Sequence, residues 1–390
     1  MTERGPTPDD LLAKACRETG LDDFGDERFR EGLVAYCASF QTEGALNDLG
    51  AQAVPGTVVA ALVNRLRVVD WVHRHPEIAS EPIDAPLVVI GMFRAGTTFL
   101  SYLLDCDRGN RALLHWEAGD SVPPASPTEH RAGPRVDAAR ARGAVLEQLN
   151  PKMRAVHNEE ADGPTECVAV MSQDFRSLSW EAITNVPTYS EWLLQTDQRS
   201  AYEYHRLVLQ VLQSGGVRGR WTLKSPHHAI ALDALTTVYP DAHLVLLHRD
   251  PVVLCASVCS LIRTLTGTFS DVDHGRYIAD HWPTMLEESI ARVDAFRAAH
   301  PEHPITDVQY ADLVQDPVGT VASIYSSYGG ALDDRTTAAL TAYAEAHPKG
   351  EFGAHRYDLG ELGLNADELT QRFGGYVDRY DVPTERPSML

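Results

Sequence analysis

The chain has 390 residues, 34 basic against 55 acidic, and a formal net charge of −21. Hydrophobic residues make up 44% and charged ones 23%, an ordinary globular composition able to bury a large core. So acidic a balance excludes a nucleic-acid partner, whose phosphates demand a basic face, and also a polybasic membrane anchor. Any anionic ligand has to be met by a local cluster of cations.

The six cysteines, Cys16, Cys37, Cys106, Cys167, Cys255 and Cys259, are scattered through apolar stretches. Cys255 and Cys259 are one helical turn apart, but no second pair completes a zinc site, so free thiols in a reducing cytoplasm are expected. The polar, acidic start MTERGPTPDD does not read as a signal peptide. No uninterrupted apolar run reaches the ~18 residues of a membrane span, so no transmembrane segment is expected.

Residues 10–80 predict helices, because LLAKACRETG, FREGLVAYCASF and VVAALVNRLRVVDWVHRH carry apolar residues at helical spacing. The expected organisation is a helical layer over 1–84 packed on a main domain at 85–378, with a tail at 379–390. Residues 86–91 predict a buried strand, followed by a loop and a helix to about Leu104. That loop reads GMFRAGTT. Gly91 and Gly96 have the spacing of a nucleotide P-loop, G-x-x-x-x-G-K-[ST], but Thr97 stands where the lysine belongs. Thr98 follows it, and a cation, Arg94, appears earlier in the loop. The backbone for cradling a phosphate-like anion at a helix N-terminus is present. The lysine that contacts a nucleoside triphosphate is not.

Residues 118–140 are rich in Pro, Ser, Gly and Ala and predict a long loop. Residues 165–212 predict helices with clustered aromatics: Phe175, Trp180, Tyr189, Trp192, Tyr202 and Tyr204. Such a stripe belongs in a core or along an acceptor pocket. A second strand–loop–helix unit follows in RWTL, KSPHH and AIALDALTTVY, then the strand AHLVLLHR, the helix DPVVLCASVCSLIRTL, and the strand ITDVQY. Short apolar strands alternating with helices predict an α/β fold, a parallel sheet covered on both faces. Ligands in such sheets sit at the carboxyl ends of the strands. The loops at 91–98, 224–228 and 248–250 fall there.

These loops carry the chemistry. Arg249 directly follows an apolar strand, and Ser257 is two helical turns into the next helix; a guanidinium with a hydroxyl nearby suits a second phosphate. A structural Arg249–Asp250 ion pair is the competing reading. Lys224 also follows a strand, so its ammonium is expected in the same crevice. A kinase needs Mg²⁺ and an acidic residue to hold it, whereas the later strand ends in His248-Arg249. Transfer of a sulfuryl group, which needs cations and backbone amides but no metal, fits better than a P-loop small-molecule kinase.

Taken together, these residues resemble the sulfotransferases that use 3′-phosphoadenosine 5′-phosphosulfate (PAPS). The likeness is to bacterial members and, more distantly, to protein-tyrosine sulfotransferases. It runs through GLDDFGDERFREGL, RAGTT, LKSPHHAIALDALTTVYPDAHLVLLHRDPVVLCASVCSL, VQYADLVQDPVGTV and HPKGEFGAHRYDLGELGL. The resemblance implies the P-loop-like sulfotransferase fold and a hydroxyl acceptor on a small molecule or lipid. It implies that Arg94, Ala95, Gly96, Thr97 and Thr98 bind the 5′-phosphosulfate. Arg249 and Ser257 would bind the 3′-phosphate, Tyr310 would approach the adenosine, and Lys349 and Gly350 would belong to a lid. Lys224 resembles the lysine near the sulfuryl group. Ala95 departs from a frequent serine, and the lid lacks its usual leading arginine, reading His347-Pro348-Lys349-Gly350. For the general base the resemblance favours Glu117, in LLHWEAG, with His227, Glu159, Glu160 and Glu166 as rivals. A catalytically silent PAPS-binding protein is the remaining alternative.

Overall fold

The computed structural model describes residues 5–149, 160–347 and 357–385. In chain order its elements are α1 (Pro8–Thr19), α2 (Phe29–Glu43), α3 (Asp48–Arg74), β1 (Leu87–Gly91), α4 (Thr97–Asp105), β2 (Asn110–Ala112), α5 (His115–Gly119), α6 (Pro134–Leu149), α7 (Val168–Met171), α8 (Ser179–Ile183), α9 (Pro187–Gln195), α10 (Arg199–Ser214), β3 (Arg220–Ser225), α11 (Leu232–Val238), β4 (His243–His248), α12 (Pro251–Phe269), α13 (Gly275–Ala299), β5 (Ile305–Gln309), α14 (Tyr310–Gln315), α15 (Pro317–Ser327), α16 (Asp334–Ala346) and α17 (Ala366–Tyr380). They form two compact units. One comprises Met1–Ile83, Leu113–Arg218 and Thr264–His274; the other comprises Asp84–Ala112, Gly219–Arg263 and Gly275–Leu390.

The first unit is helical. Its chain enters α1 through a capping box, in which the Thr7 hydroxyl accepts from the Asp10 N–H and the Asp10 carboxylate accepts from the Thr7 N–H. Gly20, at φ 72°, ends the helix in the left-handed conformation that suits glycine. On α2 the residues Phe29, Leu33, Tyr36, Cys37 and Phe40 recur at helical spacing and are all buried. The aromatic stretch after residue 165 packs on that face. Tyr36 lies 4.5 Å from Trp180, ring centre to ring centre, and Phe175 stacks on Trp180 at 5.3 Å. Gly32 admits the Phe175 backbone: a β-carbon there would come within 2.4 Å of the Phe175 carbonyl oxygen. Phe175, Trp180, Tyr189, Tyr202 and Tyr204 are thus core residues, and Trp192 is half-buried with the Arg176 guanidinium 5.4 Å from its ring centre. The stretch expected as loop to residue 140 turns helical at Pro134, since proline is well suited to a first helical position.

The second unit holds the sheet. Its five parallel strands run in the order β2-β3-β1-β4-β5. Every residue of β1 is buried, as are five of the six in β3 and in β4. This is the near-continuous apolar signature of a sheet covered on both faces. The register aligns Ile90 with Ser225, Gly91 with Leu247 and His248 with Gln309. The carboxyl ends of the central strands are therefore level. Strand β2 is new relative to the sequence reading; three residues reading NRA give no apolar run to detect. Lys224 is a correction: it sits inside β3, paired with Val89, rather than in the loop that follows. Hydrogen bonding to β1 carries the strand on to Ser225, past the apolar residues visible in the sequence.

Helix α12 also departs from expectation, being 19 residues long and apolar enough by length and composition to cross a bilayer. Its serines and threonines hide that from a search for unbroken apolar runs. Its first nine residues are all buried within the protein, as in a core helix.

Candidate active site

The candidate site is built at the end of β1. Gly91 closes the strand and has no room for a side chain: a β-carbon there would lie 2.0 Å from the Thr97 methyl. The chain then turns through two left-handed residues, Arg94 at φ 68° and Gly96 at φ 93°. A left-handed conformation is strained for arginine, and such strain concentrates at functional loops. The turn is held by the Ala95 N–H, which donates to the Met92 carbonyl at 3.1 Å. Gly96 caps α4, and the first bond inside the helix runs from the Leu100 N–H to the Gly96 carbonyl. The N–H groups of Thr97, Thr98 and Phe99 precede that bond, at the positive end of the helix dipole. Thr97 is buried and Thr98 exposed.

Four of the expected ligands converge on this loop. Arg94 Nε donates to Ser257 Oγ at 3.1 Å. Arg249 Nη1 donates to the Arg94 carbonyl at 3.1 Å. The Arg249 guanidinium lies 4.1 Å from the ring centre of Tyr310. Tyr310 in turn lies against Gly96, where a β-carbon would meet its ring at 2.7 Å. Arg249 follows β4 and Tyr310 follows β5, so the register of those two strands brings them together.

The Arg249–Asp250 ion pair does not form. Asp250 accepts from the Val252 N–H at 2.8 Å, at the start of α12, and from the Glu385 N–H at 2.7 Å. Arg249 pairs instead with Glu385, Nε to Oε1 at 2.6 Å and Nη2 to Oε2 at 3.0 Å. Burial opposes the charge on Arg249, but the Glu385 carboxylate together with the nearby Tyr310 and Tyr357 outweighs it, and the guanidinium is held above its ordinary value. Burial also pushes the Tyr310 phenol up.

Two residues here escaped the sequence reading. Tyr357 places its hydroxyl 2.8 Å from Ser257 Oγ, and Glu385 holds Arg249. Tyr357 lies in HPKGEFGAHRYDLGELGL, a stretch that carries the family resemblance, but nothing in its spacing ties it to Ser257; Glu385 lies in a tail with no motif, so only the folded arrangement reveals both contacts. Lys349, Gly350 and Glu159 lie outside the described residues.

Lys224 and His227 belong to the same unit as these ligands. Lys224 is buried in β3. His227, in the 3₁₀ turn Pro226–Ile230, is fully buried, and its N–H donates to Ser225 Oγ at 3.1 Å. Burial lowers its pKa to about 3, so the imidazole is neutral at pH 7 and a weak proton acceptor. The other base candidates are in the helical unit. Glu117, in α5, is fully buried; its carboxylate accepts from the Leu114 N–H at 3.4 Å and faces His130 Nε2 at 3.6 Å. Glu166 is half-buried and Glu160 exposed.

A left-handed glycine loop feeding a helix, with cations and hydroxyls at the carboxyl ends of a parallel sheet, suits a phosphorylated or sulfated anion. Comparison with known proteins decides which chemistry is involved. The model of the sulfotransferase family matches residues 86–334, from β1 to the start of α16. The chain belongs to the sulfotransferase family. The crystal structure of sulfotransferase STF9 from Mycobacterium avium superposes with a TM-score of 0.91 at 32% identity, covering 99% of both chains. Sulfotransferase STF1 from Mycobacterium tuberculosis H37Rv gives 0.85 at 33% identity, covering 96% of this chain and all of that one. Among curated proteins, omega-hydroxy-beta-dihydromenaquinone-9 sulfotransferase Stf3 of Mycobacterium bovis is 22% identical over 320 residues, spanning 79% of this chain and 78% of its own length. The fold is the sulfotransferase α/β fold, and this sulfotransferase is an enzyme that transfers a sulfuryl group.

Proposed function

We propose that the sulfuryl donor is PAPS and that the acceptor is a lipid-like alcohol. The observation that carries the donor assignment is the fork of Arg249, which already grips a carboxylate through two parallel N–H···O bonds. Phosphate oxygens are recognised by the same bidentate geometry. Arg249 and Ser257 therefore take the 3′-phosphate, and Tyr310, beneath the guanidinium, approaches the adenosine. The residues Arg94, Ala95, Gly96, Thr97 and Thr98 take the 5′-phosphosulfate, through the N–H groups at the start of α4 and the threonine hydroxyls. Lys349 and Gly350 enter as lid residues on the strength of the sequence alone.

PAPS, when bound, supplies the sulfuryl group and leaves as 3′-phosphoadenosine 5′-phosphate. The protein supplies charge and proton transfer. Arg94 and Lys224 stabilise negative charge developing at the sulfuryl oxygens and the departing phosphate. On the strength of the family resemblance alone, Glu117 accepts the proton of the acceptor hydroxyl. His227 is a poor rival because burial lowers its pKa to about 3 and so makes it a weak base. These cations perform the work that a divalent metal does in a kinase, and turnover is metal-independent. The lipid-like acceptor is supported by Stf3, whose name gives a hydroxylated dihydromenaquinone as its substrate. Six free cysteines support a reducing compartment such as the cytoplasm.

The test is transfer from sulfur-labelled PAPS to the alcohols of a lipid extract, with and without EDTA. A labelled product that forms in EDTA and disappears with Arg249→Ala is expected. Turnover abolished by chelation and restored by Mg²⁺ would overturn the metal-free reading. Undiminished 3′,5′-ADP affinity in Arg249→Ala would overturn the assignment of the 3′-phosphate.

A further inference from the structure

The tail beyond α17 ends its described course with a carboxylate on a partly exposed cation of the candidate site. Glu385 makes both available bonds to Arg249 and is tied down a second time through its own N–H, which donates to Asp250 at 2.7 Å. Both side chains are mostly buried, 17% exposed for Arg249 and 15% for Glu385, so solvent screens the pair only in part. The tail reaches this point by a fixed route. The Tyr376 hydroxyl lies 2.9 Å from Nδ1 of His248, and Nε2 of His248 lies 2.7 Å from Asp307. Gln309 Nε2 donates to the Tyr380 carbonyl at 2.7 Å, and the Val382 N–H donates to the Val377 carbonyl at 3.0 Å. The anchors His248 and Gln309 are the residues immediately before Arg249 and Tyr310. The same two strand ends thus position both the ligand cluster and the carboxylate that occupies it.

We infer that Glu385 is an internal competitor for the anion site: it holds the Arg249 fork in the free protein, and the 3′-phosphate of the donor must displace it. This rests on the PAPS reading above. The Nε/Nη2 edge of Arg249 is taken by Glu385 while Nη1 donates to the Arg94 carbonyl, so a phosphate that uses the same edge has to displace the carboxylate. The apparent affinity for a 3′-phosphorylated nucleotide is lowered by the fraction of molecules whose tail has released the fork. Glu385 then sets how much 3′-phosphate recognition is worth. A nucleotide lacking that phosphate gains nothing from displacing the tail.

The experiment is calorimetric titration of the full chain with 3′,5′-ADP and with 5′-AMP, for the parent, Glu385→Ala, Glu385→Gln, Arg249→Ala and the Arg249→Ala/Glu385→Ala pair. Glu385→Ala is expected to tighten 3′,5′-ADP about tenfold and leave 5′-AMP unchanged; Glu385→Gln, which keeps the shape without the charge, should recover most of that gain. In the Arg249→Ala background the Glu385 substitution should have no effect. Affinities of parent and Glu385→Ala within twofold would overturn the inference while leaving the donor assignment standing, provided Arg249→Ala weakens 3′,5′-ADP. Equal tightening of 3′,5′-ADP and 5′-AMP would overturn it too, since the tail would then block the nucleotide as a whole. If 3′,5′-ADP binds none of the proteins, the donor reading fails and the inference falls with it.

Discussion

Gly96→Ala tests whether the left-handed loop and the ring of Tyr310 are fitted to each other. Two costs are separable. At φ 93° an alanine pays for a left-handed backbone, about 1–2 kcal/mol. Its β-carbon would lie 2.7 and 2.9 Å from Tyr310 Cδ2 and Cε2, well inside the 3.5–4.0 Å at which carbon atoms attract. The ring cannot simply swing away, because the Arg249 guanidinium is stacked on it at 4.1 Å. Overpacking of this sort costs about 1–3 kcal/mol, so the substitution should destabilise by roughly 2–5 kcal/mol in all. Urea unfolding of Gly96→Ala gives the sum. The same substitution made in Tyr310→Ala, where the ring is gone, isolates the backbone share and should cost only about 1–2 kcal/mol. Equal costs in the two backgrounds would show that the ring does not pack on Gly96. An unaltered stability in the single variant would refute the whole account of the loop.

Gly91→Ala should be as disruptive as the Gly96 change, since its β-carbon would meet the Thr97 methyl at 2.0 Å. Thr97→Ser deletes that methyl, so the double variant should recover most of the lost stability in urea titrations; no recovery would place the clash elsewhere. Glu117→Gln keeps size and hydrogen-bonding capacity but removes basicity, and should lower kcat by about 10²–10⁴ while 3′,5′-ADP affinity stays nearly constant. A variant retaining more than a tenth of parental kcat would pass the role to another residue, with Glu160→Gln and Glu166→Gln the next to assay. His227 and His205 are buried, and burial lowers both to about 3, against about 6.5 in an unfolded chain. Below pH 6.5 the unfolded state takes up protons that the folded state refuses, so the stability from these neutral imidazoles is complete above that pH and is lost as pH falls toward 3. Each histidine should cost up to about 2 kcal/mol at pH 5. Unfolding of His227→Gln, compared with the parent at pH 7 and pH 5, should show a reduced loss, and an identical loss would mean that His227 is charged in the fold.

The strands and the anion loop were legible because each has a local cause. LVVIG is apolar throughout, and HLVLLH through its four central residues, since both faces of the sheet are covered, and Gly91 and Gly96 mark close approaches of neighbouring side chains to the backbone that no other residue permits. Strand β2 was not legible, because NRA is strand only by pairing with β3. Lys224 was misplaced by one strand residue for the same reason: hydrogen bonding to a neighbour, not composition, decides where β3 ends. The partner of Arg249 was the larger surprise. Proximity in sequence favoured Asp250, but a carboxylate that caps the next helix through the Val252 N–H is turned away from its neighbour's guanidinium. The carboxylate that does reach Arg249 is 136 residues on, and no pattern in the tail announces it.

That long-range pairing bears on how so acidic a chain binds an anionic donor. A half-buried guanidinium is costly to leave unpaired, because its charge has been taken partly out of water. With a net charge of −21 the protein has carboxylates to spare, and one of them neutralises Arg249 while the donor is absent. Binding is then an exchange of one counter-ion for another rather than the filling of a bare cationic cleft. The gain is the difference between a phosphate and a tethered carboxylate on the same fork. Such a difference is small for any anion that resembles a carboxylate and larger for a doubly charged phosphate. On the proposed PAPS reading, selection for the 3′-phosphate requires no cation beyond the four-residue cluster of Arg94, Arg249, Ser257 and Tyr310. It requires only that the competing carboxylate be weaker than the ligand it yields to.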